Sequence, residues 1–379
     1  MGVFENIGSA GWDFATYWLY VAVAMLAGVL SWLSFAGLSK VDGRESRRTP
    51  FILAMALLVV FKGSCISTTD VKAGYYLNFM SAMSFESFRD YTLEPLYQAL
   101  NVAVRNITPD YGVFLMVVAA ITIAPVGFVI WRCRSRINVP FAVLGYSLVY
   151  LVTGMSAIRQ SIAVSFVLLS VCCWVFGKKR LTVLWSVVAL GFHTSALVAL
   201  LLYVLLFFHE HIKTQTIISV ATIAVVIAGR AVVETFFIGR YGAYSAFDDV
   251  SFGIAVVLKY LPLAVLILFV LQGDSEKRIE LPNGSSSVLG LCTAVLLFSV
   301  VVCLLGYVIS IFGRAESYSA PLVIILAYLV RRCEERRFFR LPVKYLLALY
   351  FLFRLTVYMN DFYLMEGIMP YVTSFGMRI

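Results

Sequence analysis

Apolar runs long enough to cross a hydrocarbon core recur from one end of the chain to the other, and they constrain the fold more than any motif does. A helix rises ~1.5 Å per residue and a bilayer core is ~30 Å thick, so about twenty apolar residues make one crossing. In lipid every backbone amide needs an internal partner, which leaves helices as the element such runs can form. Composition agrees: of 379 residues, 61% are hydrophobic and 13% charged, with a mean hydropathy of +0.91, where a soluble domain is about a quarter charged. An ordinary water-soluble globule is excluded. The expectation is an all-α polytopic membrane protein, one integral membrane domain over residues 1–379.

The net charge of +9 is no argument for nucleic acid, because in a membrane protein basic residues collect in cytoplasmic loops and set topology. Lys40, Arg44, Arg47 and Arg48 follow the first apolar run, Phe14 to Leu38, which is too long for a signal-peptide core and is expected to stay as a span. Further basic groups stand at Arg132/Arg134/Arg136, Lys178/Lys179/Arg180, Lys277/Arg278 and Arg331/Arg332/Arg336/Arg337/Arg340. If all are cytoplasmic, an even number of crossings separates each neighbouring pair. The stretch Leu181 to Phe208 then has to be two short helices meeting near Gly191-Phe192-His193 rather than one tilted helix. That gives twelve spans, near 14–38, 50–63, 112–131, 139–155, 156–176, 181–192, 194–208, 214–233, 252–271, 287–309, 318–330 and 342–358, with both termini outside. Asn283 to Ser287 reads as a plain turn or linker. The seven cysteines form no disulfide framework, and no Cys/His spacing suits zinc.

One outer segment is too long for a connector: residues 62–111, after the second span. Leu93-Glu94-Pro95-Leu96 reads as a helix start with Pro in the first turn. Tyr75, Tyr76, Phe79 and Phe85 suit an amphipathic helix at the membrane interface, either as plain surface packing or as a lid or carbohydrate-stacking surface.

A second set of cations escapes the inside rule: Lys62, Lys72, Arg89, Arg105, Arg159, Arg230, Arg240, Arg314 and Arg354, with Lys259 inside a span. An arginine near the bilayer interior costs a few kcal/mol on insertion scales, so it faces protein or a wet cavity. Several of them converging make an anion site. Arg159 lies at an outer turn where its guanidinium can make paired bonds to phosphate. Arg230 and Glu234 read as an intrahelical pair. Tyr350, Arg354, Tyr358 and Asp361 share one helix face, which must meet protein or water. His193 is the only histidine among apolar residues, at an outer apex where it can act as general base or hydrogen-bond donor, or simply pack. The outer acids are Asp70, Glu86, Asp90, Glu94, Asp110, Asp248, Asp249, Glu316, Asp361 and Glu366, and composition does not choose among them.

Four segments, taken in order, are similar to the EpsG-like group of Wzy-type bacterial polysaccharide polymerases. They are Thr69-Asp70 with Tyr75 and Tyr76 after it, Glu94-Pro95-Leu96-Tyr97, Ile158-Arg159-Gln160-Ser161-Ile162-Ala163 with the Lys178-Lys179 loop, and Phe192-His193-Thr194-Ser195-Ala196. Ile368-Met369-Pro370-Tyr371 looks similar as well. The resemblance implies a GT-C-like glycosyltransferase of the bacterial cytoplasmic membrane, working on the outer face without metal or cofactor. It would move a glycan from undecaprenyl pyrophosphate to a sugar hydroxyl of a second lipid-linked unit, with a chain-length regulator and a flippase as partners.

For such chemistry the expected catalytic set is His193, Asp70, Arg159 and Glu94: Arg159 for the leaving diphosphate, His193 or Asp70 as base, and Glu94 as third candidate. Gln160, Arg240, Tyr241, Tyr244, Arg314, Arg354, Tyr75, Tyr76 and Arg89 are expected on the substrate side. Two other classes fit parts of the pattern, a transporter of lipid-linked oligosaccharide and a membrane acyltransferase of polysaccharide. The first lacks a visible repeat, and the second leaves the arginines without a task.

Overall fold

The computed structural model describes residues 12–35, 47–68, 70–84, 86, 93–229, 254–272, 278–281, 284–308, 314–332, 337–338, 341–362 and 367–374. The described residues are overwhelmingly helical. In chain order the helices are α1 (Phe14–Leu33), α2 (Arg48–Ser64), α3 (Tyr76–Ser81), α4 (Pro95–Ile107), α5 (Tyr111–Arg132), α6 (Val139–Gly145) and α7 (Ile158–Val175). After them come α8 (Lys179–Phe192), α9 (Ala199–Phe207), α10 (Ile212–Ala228), α11 (Ile254–Gln272), α12 (Val288–Val308), α13 (Pro321–Arg332) and α14 (Val343–Phe362). A π-helical turn, Val71–Tyr75, leads into α3, and another, Tyr146–Leu151, extends α6. Tight 3-10 turns precede α9 (Thr194–Val198) and α13 (Ala315–Ser319).

Local chemistry sets several starts. The Asp13 carboxylate accepts from Ala15 N at 3.0 Å and opens α1. Asp110 does the same for Gly112 N at 2.7 Å at the head of α5, and Asn138 for Phe141 N at 3.1 Å at the head of α6. Pro95 occupies the first turn of α4, where a missing N–H costs nothing.

Among the described residues four helices, Phe14–Leu33, Tyr111–Arg132, Ile158–Val175 and Val288–Gly306, are long and apolar enough to cross a membrane, alongside shorter apolar helices. The chain is a multi-pass, helical membrane protein, as its apolar runs require. Two small hairpins depart from an all-helical reading. Strand β1 (Arg278–Leu281) pairs antiparallel with β2 (Gly284–Ser287), so residues 284–287, expected as a plain linker, are strand. Strand β3 (Arg337–Phe338) pairs with β4 (Leu341–Pro342). Backbone pairing between strands satisfies amides that a loose linker would leave to water.

The stretch from Leu181 to Phe208 folds back on itself. Ser186 on α8 and Tyr203 on α9 share a hydrogen bond of 3.0 Å, and Tyr203 also donates to Ser170 on α7 at 2.8 Å. In one straight helix those 17 residues would put Ser186 and Tyr203 roughly 25 Å apart. The helix breaks at His193, which adopts an extended conformation, and the chain returns.

The described members of the basic groups therefore share one end of the bundle, while Lys40, Arg44, Lys277, Arg336 and Arg340 lie outside the described residues. Arg132 and Arg136 lie over the Phe176 ring, at 4.6 and 5.6 Å, which ties the 132–136 group to the turn preceding Lys178. Trp174 meets His209 at 6.0 Å, and the neighbouring Glu210 pairs with Arg278 at 3.0 Å. Arg331 donates to the Arg134 and Ile137 carbonyls at 3.3 and 3.4 Å. Phe51, just inside the helix that begins at Arg48, meets the Trp131 ring at 5.0 Å in a tilted contact. At the opposite end, residues 368–374 tie down α1 and α2. Tyr371 N donates to Thr16 at 2.9 Å, the Tyr371 ring stacks on Phe61 at 4.8 Å, and Ser374 N donates to the Ser64 carbonyl at 2.7 Å.

Candidate active site

At the end opposite the basic face, Glu94 collects groups from two other segments. Its Oε2 accepts from Arg159 NH1 at 2.7 Å. Its Oε1 meets His193 Nδ1 at 2.8 Å and the Thr194 N–H at 3.1 Å. Each side has a local cause. Glu94 is the residue before α4, so its carboxylate is free of its own helix and reaches across. His193 ends α8, and the break leaves the Thr194 amide without a helical acceptor. Gly191 lets α4 come close: a Cβ there would lie 2.6 Å from Leu96 Cγ. The Glu94 side chain is only 2% exposed, against 15% for His193 and 21% for Arg159. Burial by itself raises the Glu94 carboxyl pKa. The His193 hydrogen bond, the Arg159 charge and the Thr194 amide outweigh it and hold the pKa at about 2.

Arg159 sits in the first turn of α7 with its guanidinium 5.7 Å from the centres of both the Tyr75 and Tyr97 rings. Its Nε is buried and has no hydrogen-bond partner among the described residues. Arg314 reaches Asp70 at 3.6 Å, and both stay partly open to solvent, 29% and 39% exposed. The charges of Arg159, Arg314 and Asp70 all act on the Tyr75 hydroxyl. Gln160 is buried, and its amide donates to the Arg314 carbonyl at 2.7 Å and to Ser317 at 3.1 Å.

A second charged node backs the first. Glu316 binds Lys259 at 3.4 Å, the Tyr260 hydroxyl at 2.7 Å and the guanidinium of Arg354, which also donates to Tyr350 at 3.1 Å. Burial pushes the Glu316 carboxyl up, and Lys259, Arg354 and Tyr260 bring it down to about 2. In the same 3-10 turn, Tyr318 bonds Ser195 at 2.9 Å and Ser319 bonds Tyr150 at 2.8 Å. Lys62, at the end of α2, is buried and donates to the Gly154 carbonyl, steadying the turn that opens α7.

The structure thus brings together His193, Glu94, Arg159, Tyr75, Gln160, Arg314 and Asp70, with Arg354 joined through Glu316. Tyr76 points away, exposed and against Tyr111 at 5.3 Å. The expected interfacial aromatics divide. Tyr75 and Phe79 are buried against Tyr97 and Phe114, because the loop folds onto α4 and α5 instead of lying flat on lipid. Arg89, Phe85, Arg230, Glu234, Arg240, Tyr241, Tyr244, Asp248 and Asp249 lie outside the described residues. Glu316, Ser317, Tyr318 and Thr194 were not singled out by sequence as site residues. The signal available was Glu316 itself, an acid two residues from Arg314 at the outer end of an apolar segment. Among the described residues no three His, Cys, Asp or Glu side chains are placed to hold a metal ion.

A family model described as the EpsG family matches residues 48–373, most of the chain. No curated protein and no solved structure gives a match.

Proposed function

Because the chain belongs to the EpsG family, a Wzy-like polymerase family, we propose that it lengthens a polysaccharide by transferring glycan from an undecaprenyl-diphosphate donor to a sugar hydroxyl of a second lipid-linked unit. The reading places the basic face in the bacterial cytoplasm and the Glu94 site outside, with twelve crossings in a GT-C-like arrangement and a flippase and chain-length regulator as partners. The observation that carries it is the Glu94 bridge, one buried carboxylate joining a histidine to an arginine whose Nε has no partner among the described residues.

Transfer requires the acceptor hydroxyl to lose a proton as its oxygen attacks the anomeric carbon, while the C–O bond to diphosphate breaks and its electron pair leaves with the phosphate. His193 is oriented by Nδ1 on Glu94, which leaves Nε2 to take the proton. Glu94, ionised and occupied by three donors, orients the imidazole and Arg159 and is not the base. The leaving diphosphate gains charge opposite Arg159 and Arg314, whose fixed guanidinium groups stabilise it. The N-terminus of α7 adds its dipole. Asp70 and Gln160 position Arg314, and Arg354 acts through Glu316. Arg240, Tyr241, Tyr244 and Arg89 are assigned to the glycan side.

Purified protein incubated with a synthetic undecaprenyl-diphosphate oligosaccharide is expected to yield a ladder of longer lipid-linked glycans, unchanged within about twofold by EDTA. Translocation of that lipid without any longer product would overturn the reading in favour of transport.

A further inference from the structure

We propose that the basic face holds one anionic phospholipid, its phosphate on Arg132 and Arg136 and a segment of one acyl chain in an apolar cavity beneath them. The cavity, about 130 Å³, lies between α5, α7, α9, α12 and α13, with Val129, Leu168, Cys172, Leu206, Cys292 and Ile325 among its walls. Arg136 and Phe176 also line it, and Arg136 is its one charged residue. Arg132 and Arg136 both lie over the Phe176 ring.

Two deficits meet at this point. A hydrocarbon-walled space of this size stays dry and takes apolar guests, since water entering it finds no polar partners. Its walls lack the contacts that an acyl chain supplies. The guanidinium groups above it lack an anion: among the described residues no ion pair involves Arg132, Arg134 or Arg136. A phosphate diester with an acyl tail answers both at once, whereas a free phosphate or a neutral lipid answers only one.

The occupant comes from the leaflet on the basic face. Helix α7 has 18 residues, so its ends stand roughly 27 Å apart. The cavity touches α7 at Leu168, Val171, Cys172 and Val175, near its last turns, whereas Arg159 is in its first. A lipid seated here is therefore distinct from a donor whose diphosphate is at Arg159.

Native mass spectrometry of the full chain, delipidated in detergent and titrated with phosphatidylglycerol or with phosphatidylcholine of the same acyl chains, tests this. One phosphatidylglycerol is expected to be retained at a concentration at least about tenfold below that needed for phosphatidylcholine. Replacing both arginines, Arg132→Gln with Arg136→Gln, is expected to remove the preference. Cys292→Leu, which fills the cavity from a buried wall position, is expected to weaken retention about tenfold with helical content and thermal midpoint maintained. The arginine pair supplies the test should the filled variant fail to fold, because Arg132 is exposed and Arg136 half-buried. Equal retention of the two lipids, or phosphatidylglycerol retention untouched by the arginine exchange or by a folded Cys292→Leu, would overturn the proposal.

Discussion

The two ends of this bundle are both rich in arginine and use it in opposite ways. On the basic face Arg132, Arg134 and Arg136 rest on aromatic rings with no carboxylate partner among the described residues. At the other end Arg159, Arg314 and Arg354 each meet an acid, Glu94, Asp70 and Glu316. Unpaired exposed cations are cheap next to water and anionic headgroups, and they fix topology. Cations drawn into a bundle need compensating charge, and the compensation also aims them. Arginine count thus locates membrane sides, whereas pairing with a buried carboxylate locates a site; the basic face's own pair, Arg278 with Glu210, is exposed.

If the paired end performs the chemistry, the largest loss belongs to Arg159. Arg159→Lys keeps the charge but not the planar fork held between Tyr75 and Tyr97. Polymer formation is expected to fall on the order of 100-fold or more in a protein that still inserts. A normal ladder from that variant would break the comparison. Glu94→Gln comes next, with a loss of roughly 10- to 100-fold, because it weakens the hold on both His193 and Arg159. Here donor binding, measured separately, is expected to change less than turnover.

Acidification sharpens the comparison further. Glu94 and Glu316 have folded pKa values depressed from 4.5 to about 2, so the stability they contribute is fully present above about pH 4.5 and is lost as pH falls toward 2. Thermal midpoints in detergent, followed from pH 6 downward, are expected to drop in that window, and Glu94→Gln is expected to shallow the drop. A midpoint that holds flat to pH 2 would deny the pairing its weight. The smallest effect belongs to the other end. Arg134→Gln removes an unpaired cation from the ring of Trp131 and is expected to change ladder yield by less than about twofold. A loss equal to that of Arg159→Lys would erase the distinction between the ends.

Much of this was legible where the signal was local. Pro95 marked the start of α4, the apolar runs marked their helices, and the parity of basic loops required the break at His193 that the Ser186–Tyr203 contact shows. The pairings were not legible. Glu94 was one of ten outer acids, and its partners Arg159 and His193 lie 65 and 99 residues away. Gln160 shows the same limit: beside Arg159 it reads as a substrate ligand, yet its amide is occupied by a turn 154 residues on. Tyr75 and Phe79 looked interfacial because an amphipathic pattern does not say whether lipid or protein meets its apolar face.

Hydropathy and the placement of lysine and arginine determined, unaided, that this chain lives in a membrane, and they separated the basic loop groups from a second group of cations. Those properties sum over neighbouring residues, so order along the chain suffices to read them. Which acid meets which cation was decided only in three dimensions. A hydrogen bond between remote segments depends on a break at one helix end, a proline-led start of another and a glycine that lets them touch, and no single stretch of sequence contains all three.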